Sequence, residues 1–165
     1  MLQQLGDPHS LAENWVRVVH IDPVGRMWVG TDNGLDRFDP LTQRFTHYRP
    51  DEPEQRGNGN RHVRAIVDDG LGGLWVGSAD GLHHFNPSTK RFTSWHHDAA
   101  DPGSLANDQV NALARDAAGR LWVATATGLD MLAPGAAHFR HYTMDAGGDS
   151  RFNAVLSLQV DSAQT

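Results

Sequence analysis

The chain repeats itself every 47 residues, and that period limits what it can fold into more than any other feature. Gly25-Arg26-Met27-Trp28-Val29-Gly30-Thr31-Asp32-Asn33-Gly34-Leu35 returns as Gly72-Gly73-Leu74-Trp75-Val76-Gly77-Ser78-Ala79-Asp80-Gly81-Leu82, and again as Gly119-Arg120-Leu121-Trp122-Val123-Ala124-Thr125-Ala126-Thr127-Gly128-Leu129. A fixed period of this length marks a propeller or a solenoid, in which one unit cannot bury its own faces and stacks on its neighbours. The 165 residues hold about three and a half such units.

Each unit divides into four short apolar runs bounded by turn residues, the pattern of an all-β repeat. In the first, strand a is Val16-Arg17-Val18-Val19-His20-Ile21 and strand b is Met27-Trp28-Val29-Gly30-Thr31. Strand c is Leu35-Asp36-Arg37-Phe38, and strand d is Arg44-Phe45-Thr46-His47-Tyr48. Four antiparallel strands of this size make one propeller blade. The expected blades are residues 15–51, 62–98 and 109–145. Residues 1–14 read as an inter-blade loop, because Asp7-Pro8-His9-Ser10-Leu11-Ala12 resembles Asp101-Pro102-Gly103-Ser104-Leu105-Ala106. Residues 155–161 match strand a with its closing Asp161, and so read as the inner strand of a fourth blade.

The repeated positions have packing roles. Trp28, Trp75 and Trp122 sit in mid-strand, where a large ring fills the gap between blades packed face to face. Gly30, Gly77 and Ala124 lie on the same strand face and leave room for a neighbouring ring. Asp22, Asp69 and Asp116 each precede a glycine by three residues and read as turn builders that accept a backbone bond two residues on. Gly34, Gly81 and Gly128 end the b–c turns and are expected at positive φ. Phe45, Phe92 and Phe139, with Tyr48, Trp95 and Tyr142 three residues on, are expected to cover the rim.

Composition excludes several functions. A net charge of −6 with no basic run argues against a nucleic-acid surface. No apolar stretch is long enough for a membrane helix, and the first residues lack the charged start and apolar core of a secretory signal. There is no cysteine, hence no disulfide framework. The ten histidines are poorly spaced for a metal: His83-His84 and His96-His97 are adjacent, and adjacent residues on a strand point to opposite faces. No nucleophile elbow, His-Glu-x-x-His or phosphate-binding loop is present. Neither a cofactor nor a metal is expected.

Written out, the unit is V-x-x-h-x-x-D-x-x-G-x-h-W-V-G-T-x-x-G-L-x-x-F-D-P-x-x-x-x-F-x-x-Y, with h apolar, and it closely resembles the two-component regulator propeller repeat. Val16, Asp22, Gly25, Trp28, Val29, Gly30, Thr31, Gly34, Leu35, Phe38, Phe45 and Tyr48 carry the match, with their counterparts one and two periods on. The third copy departs from it at Ala124 and at Met131-Leu132-Ala133. The resemblance implies part of a seven-bladed ring in the sensor region of a membrane-bound bacterial regulator. Such a region is periplasmic or otherwise extracytoplasmic in an inner-membrane protein, and the output is a cytoplasmic histidine kinase or diguanylate cyclase.

The function this implies is a non-catalytic ligand-binding sensor, with a small molecule, carbohydrate among the candidates, as its partner. Repetition accounts for the scaffold, so contacts are sought among polar residues that differ between blades at the channel mouth. These are Arg17, Arg64 and Asn111 at the start of each strand a, Asp32, Asn33 and Asp80 in the b–c turns, and Asn60, Arg61, Asn107 and Asp108 in the d–a loops. A propeller enzyme, a lyase or glycoside-processing protein, is the alternative, with Asp68 and Arg115 as its nearest titratable candidates. A passive protein-interaction scaffold is the third. The remaining partners expected are further blades of a parent chain, or a second copy meeting the open ends, because stripped apolar faces and unpaired edges associate.

Overall fold

A computed structural model describes residues 7–50, 61–142 and 155–159. The described residues form three antiparallel sheets of four strands and no helix. Blade 1 holds β1 (Val16–Ile21), β2 (Met27–Thr31), β3 (Gly34–Asp39) and β4 (Arg44–Tyr48). Blade 2 holds β5 (Val63–Asp68), β6 (Leu74–Ser78), β7 (Gly81–Asn86) and β8 (Arg91–Trp95). Blade 3 holds β9 (Val110–Arg115), β10 (Leu121–Thr125), β11 (Leu129–Leu132) and β12 (Arg140–Tyr142). Within each blade the strands pair in chain order, and the first strands of successive blades, β1, β5 and β9, lie against one another. This is the partial propeller that the period predicts.

The turn from strand a to strand b is built on its aspartate. Asp22 Oδ1 accepts the N–H groups of Val24 and Arg26 at 3.1 and 2.8 Å, and Asp116 Oδ1 accepts those of Ala118 and Arg120 at 3.0 and 2.9 Å. The second carboxylate oxygen does work that the sequence did not reveal. It takes the indole N–H of Trp28 at 2.9 Å or of Trp122 at 3.0 Å, fixing the ring that the blade packs around. Burial pushes the Asp22 carboxyl up, but the Trp28 indole and Arg26 more than offset this and hold it below the usual range.

Two apolar clusters join the blades. Trp28, Leu35, Val63, Ile66, Leu74, Val76 and Phe85 fill the space between blades 1 and 2, while Leu82, Leu105, Val110, Leu121, Val123, Leu132 and Phe139 fill that between blades 2 and 3. Coverage, not residue type, decides burial: Val63 is 4% and Ile66 is 7% exposed, while their blade 1 equivalents Val16 and Val19 are 46% and 54% exposed. Each such side chain stabilises by about 1.5–3 kcal/mol when fully buried, so the stacking of blades holds the inner strands.

Several sequence expectations need correction. The small residues of strand b make room for an aliphatic side chain and not for a ring: a Cβ on Gly30 would lie 2.5 Å from Val63 Cγ1, and one on Gly77 the same distance from Val110 Cγ1. Gly34 and Gly81 have φ of +123° and +131°, but Gly128 is not among the left-handed residues, because β11 starts one residue later and the Gly128 carbonyl accepts the Thr125 N–H at 2.8 Å. Phe45 and Phe139 are core residues, since Leu11 and Leu105 from the loops close over them. Trp28 is fully buried, whereas Trp75 and Trp122 are only partly so. Residues 155–159 form no strand: Val155 N–H bonds the Thr125 carbonyl at 3.1 Å, and no described strand b pairs with the segment. Val160 and Asp161 lie outside the described residues.

The loops entering blades 1 and 3 are fastened alike. Asp36 bonds His47 Nδ1 at 2.7 Å and the Ala12 N–H at 3.0 Å, and His47 Nε2 reaches the Pro8 carbonyl at 3.0 Å. Asp130 repeats this with His141, Ala106 and Pro102 at 2.8, 2.8 and 2.9 Å. In blade 2 the equivalent residue is His83, whose ring nitrogens bond Ser94 Oγ at 2.8 Å and Ser78 Oγ at 3.0 Å.

Candidate functional site

Strand a is not a plain strand in any blade. Val16 pairs with Thr31 but Val18 pairs with Gly30, so Arg17 is an extra residue in the ladder. Arg64 is bulged in the same way between Val63 and Ala65, and Asn111 between Val110 and Ala112. A bulge leaves its extra residue unpaired, twists the strand and re-aims a side chain. Three of the residues singled out by differing between blades therefore occupy three equivalent bulges on adjacent inner strands. The sequence carried a signal of this, because the alternation of strand a slips there: Val63, Ala65 and Ile66 are all apolar.

The bulged side chains line up in two bonded groups, one in blade 1 and one across the boundary of blades 2 and 3. Arg17 grips Asp32 of the b–c turn through Nε and, at 3.1 Å, Nη2, and His62 Nε2 stands 3.9 Å from the same carboxylate. Arg64 Nη1 donates to Asn111 Oδ1 at 3.0 Å across the blade 2 to blade 3 boundary, and Asn111 Nδ2 donates to the Val155 carbonyl at 3.0 Å. Hydrogen bonding from Arg17 holds the Asp32 carboxyl below its usual range against the opposing effect of burial, with His62 and Arg64 adding to it. The same pairing raises Arg17. One guanidinium bonds the carboxylate and the other bonds an amide oxygen, so the row offers more donors than acceptors. His62, next to the strand, is a member that the sequence reading missed.

The other candidates are dispersed. Arg61 and Asp80 line a slot of about 30 Å³ between blades 1 and 2, together with Gly34, Leu35 and Val63. That is room for water and not for a ligand. Asn33 lends its carbonyl to Arg49 Nε at 3.1 Å. Asn107 Oδ1 accepts the Gln109 N–H at 2.8 Å, and Asp108 Oδ1 accepts the His97 N–H at 2.6 Å, so both are committed to shaping the loop. Asn60 lies outside the described residues. Asp68 and Arg115 do not form a couple: Asp68 Oδ2 bonds His20 Nε2 of blade 1 at 3.1 Å, while the Arg115 guanidinium lies against Gly70. Among the described residues no group of three or more His, Cys, Asp and Glu is placed to hold a metal ion.

Residues 10–33 and 104–127 match the two-component regulator propeller family model. Two stretches, one leading into and through the first half of blade 1 and its counterpart in blade 3, are thus similar to two-component regulator propeller repeats. None of the curated proteins matches the sequence. Among solved structures, the extracellular domain of the hybrid two component system BT4673 from B. thetaiotaomicron is similar, with a TM-score of 0.76 at 20% identity over 93% of this chain. The corresponding domain of BT3049 from the same organism aligns with a TM-score of 0.70 at 26% identity over 85% of this chain. The chain spans 20% of the length of each of these two. Virginiamycin B lyase from Staphylococcus aureus shares the fold at a TM-score of 0.58 and 9% identity, covering 80% of this chain and 42% of that one.

Proposed function

From a chain with two stretches similar to two-component regulator propeller repeats, we propose a segment of the extracytoplasmic sensor region of a signal-transduction regulator, one that binds a small polar ligand without transforming it. The observation that carries this is the row of bulged inner-strand side chains, Arg17, Arg64 and Asn111, with Asp32 and His62 beside them. Bulges of one kind in three blades are a property of the scaffold, but the residue each presents differs. That is how a repeat protein acquires an individual recognition surface. Likeness to extracellular domains of hybrid two-component systems supports the extracytoplasmic reading.

The excess of donors suits a ligand rich in acceptor oxygens, for which mono- and oligosaccharides are the first class to try. Calorimetric titration of the chain with such a panel is expected to find a saturable ligand whose binding weakens about tenfold or more in Arg64→Ala and Asn111→Ala, with the ligand recovered unchanged. Recovery of a cleaved product, lost in the same variants, would replace the sensor with an enzyme. Binding that ignores both substitutions would remove the ligand from the inner strands.

A further inference from the structure

The far end of the blades, where the a–b and c–d turns lie, holds a second feature that the sensor row does not use. Between blades 1 and 2 this end is plugged. Phe85 packs 5.6 Å from Trp28 and 4.8 Å from Tyr48 between ring centroids, and Arg26 lies over Trp28 and reaches the Gly72 carbonyl of blade 2 at 3.4 Å. Between blades 2 and 3 both plugs are missing. Leu132 stands where Phe85 stood, and Gly73 stands where Arg26 stood. The result is a cleft of about 540 Å³ lined by Trp75, Trp95, Leu121, Leu132, Pro134 and Arg115, with Asp69 and His84 at its edge.

The loss of the arginine also rewires the polar groups. In blades 1 and 3 the turn aspartate takes the tryptophan indole N–H and the arginine guanidinium on one oxygen. In blade 2 that oxygen, Asp69 Oδ2, accepts from His84 Nε2 at 2.8 Å, and Oδ1 accepts the N–H groups of Leu71 and Gly73 at 2.6 and 2.8 Å. The carboxylate is spoken for. Among the described residues the Trp75 indole N–H has no hydrogen-bond partner, and the Arg115 guanidinium has none either. A partly buried indole N–H that two sister blades satisfy and this one does not is costly unless something else accepts it.

The geometry points to this cleft between blades 2 and 3 as a binding site for a small ring-bearing carboxylate. The paired rings of Trp75 and Trp95, 5.3 Å apart between centroids, offer an aromatic wall, and Leu121, Leu132 and Pro134 an apolar floor. The unmatched donors are the Trp75 N–H and a planar guanidinium, and a guanidinium accepts a carboxylate in a bidentate fork. A polyol would leave its own donors facing a site with no free carboxylate. Pockets of this size with few convergent polar groups are the usual form of a small-molecule site. This site is independent of the inner-strand row and uses none of its residues.

Benzoate, benzamide and acetate separate the parts of the inference. In a ¹H–¹⁵N spectrum of the chain, benzoate is expected to shift the Trp75 indole N–H saturably while leaving that of Trp28 in place. Benzamide, without the charge, and acetate, without the ring, bind at least about tenfold more weakly. Arg115→Gln weakens benzoate by a similar factor. Gly73→Arg combined with His84→Met gives blade 2 the Arg120 and Met131 of blade 3 and abolishes binding; a Cβ on Gly73 would meet Asp69 Oδ2 and sit 2.8 Å from His84 Nε2, so the second change removes one of these contacts and frees the Asp69 carboxylate to turn towards the new arginine. No saturable shift, benzamide or acetate binding as well as benzoate, or indifference to Arg115→Gln would each overturn the proposal. Should the double variant fail to fold, Arg115→Gln alone decides.

Discussion

Blades 1 and 3 hold the loops that lead into them with a buried carboxylate, whereas blade 2 fills the same position with an imidazole. The difference is not a single substitution. Asp36 and Asp130 face His47 and His141 across the β3–β4 and β11–β12 ladders, and in blade 2 His83 faces Ser94 in the same register. When the carboxylate is replaced by a histidine, the histidine opposite is replaced by a hydroxyl, and Ser78 supplies the second partner. The turn at the other end is the contrast: His84 takes the aspartate oxygen that an arginine and an indole share in blades 1 and 3, and the Trp75 indole N–H keeps no hydrogen-bond partner among the described residues. At the loop clamps, what repeats is therefore a set of satisfied partners. A buried polar position changes only together with its neighbours, because an orphaned group in the interior costs more than the bond it once made contributed.

The largest test of this contrast is at the repeated tryptophans. Trp28 is fully buried beneath Tyr48 and Phe85, so Trp28→Ala is expected to cost about 3–5 kcal/mol in urea unfolding. Trp75, beside an open cleft, should fall at or below the bottom of that range. Equal costs would mean that the cleft closes in solution.

Next in size are the buried polar positions. Asp130→Ala removes the acceptor of both His141 and the Ala106 N–H and should cost about 2–3 kcal/mol, because two hydrogen bonds to a fully buried carboxylate are lost. His83→Ala should cost less, about 1–2 kcal/mol, because Ser78 keeps its bond to the Gly81 carbonyl. The contrast between carboxylate and imidazole blades would collapse if the order were reversed.

These partnerships mark how far the sequence was legible. The period gave the blades, because Trp, Gly and Asp recur at one spacing and each has a backbone or packing reason to do so. It singled out Arg17, Arg64 and Asn111, because they are polar residues that differ between otherwise repeated strands. It showed each bulge only as a slip in the alternation of strand a, since a bulge is a property of two strands and only one is read at a time. Nor did it pair Asp36 with His47 or Asp130 with His141, which lie eleven residues apart and meet only when β3–β4 and β11–β12 are in register. Asn107 and Asp108 looked free because a loop's internal hydrogen bonds leave no periodic trace.

A smaller effect separates blade 2 from blade 3 at the b–c turn. Gly81 has φ of +131°, and a Cβ there would stand 2.7 Å from the Trp95 carbonyl oxygen. Gly81→Ala should therefore cost about 1 kcal/mol or more, while Gly128→Ala, outside the left-handed region, should cost less. Thermal melts of the two variants side by side check this, and equal losses would make the turns equivalent after all.

The smallest effect, and the most specific to the carboxylate blades, is on pH dependence. His141 Nδ1 faces the Asp130 carboxylate and Nε2 faces the Pro102 carbonyl, two acceptors, so both bonds form only when the ring carries both protons. Burial alone would lower its pKa, but Asp130 and the Pro102 carbonyl outweigh this and raise it above the ordinary 6.5. A histidine raised in the folded state contributes stability that is complete below the unfolded value and is lost as pH rises through the folded one. The stability lost in His141→Gln should accordingly be largest below about pH 6.5 and shrink as pH climbs past the raised value. His83 bonds two hydroxyls, each able to donate or accept, so its bonds do not need the second proton. Unfolding titrations of wild type and His141→Gln at several pH values, with the imidazole resonances followed in parallel, measure the effect. A loss that stays constant with pH would mean that the imidazole of blade 3 clamps its loop without its second proton, and that the carboxylate and hydroxyl versions of the device are electrostatically the same.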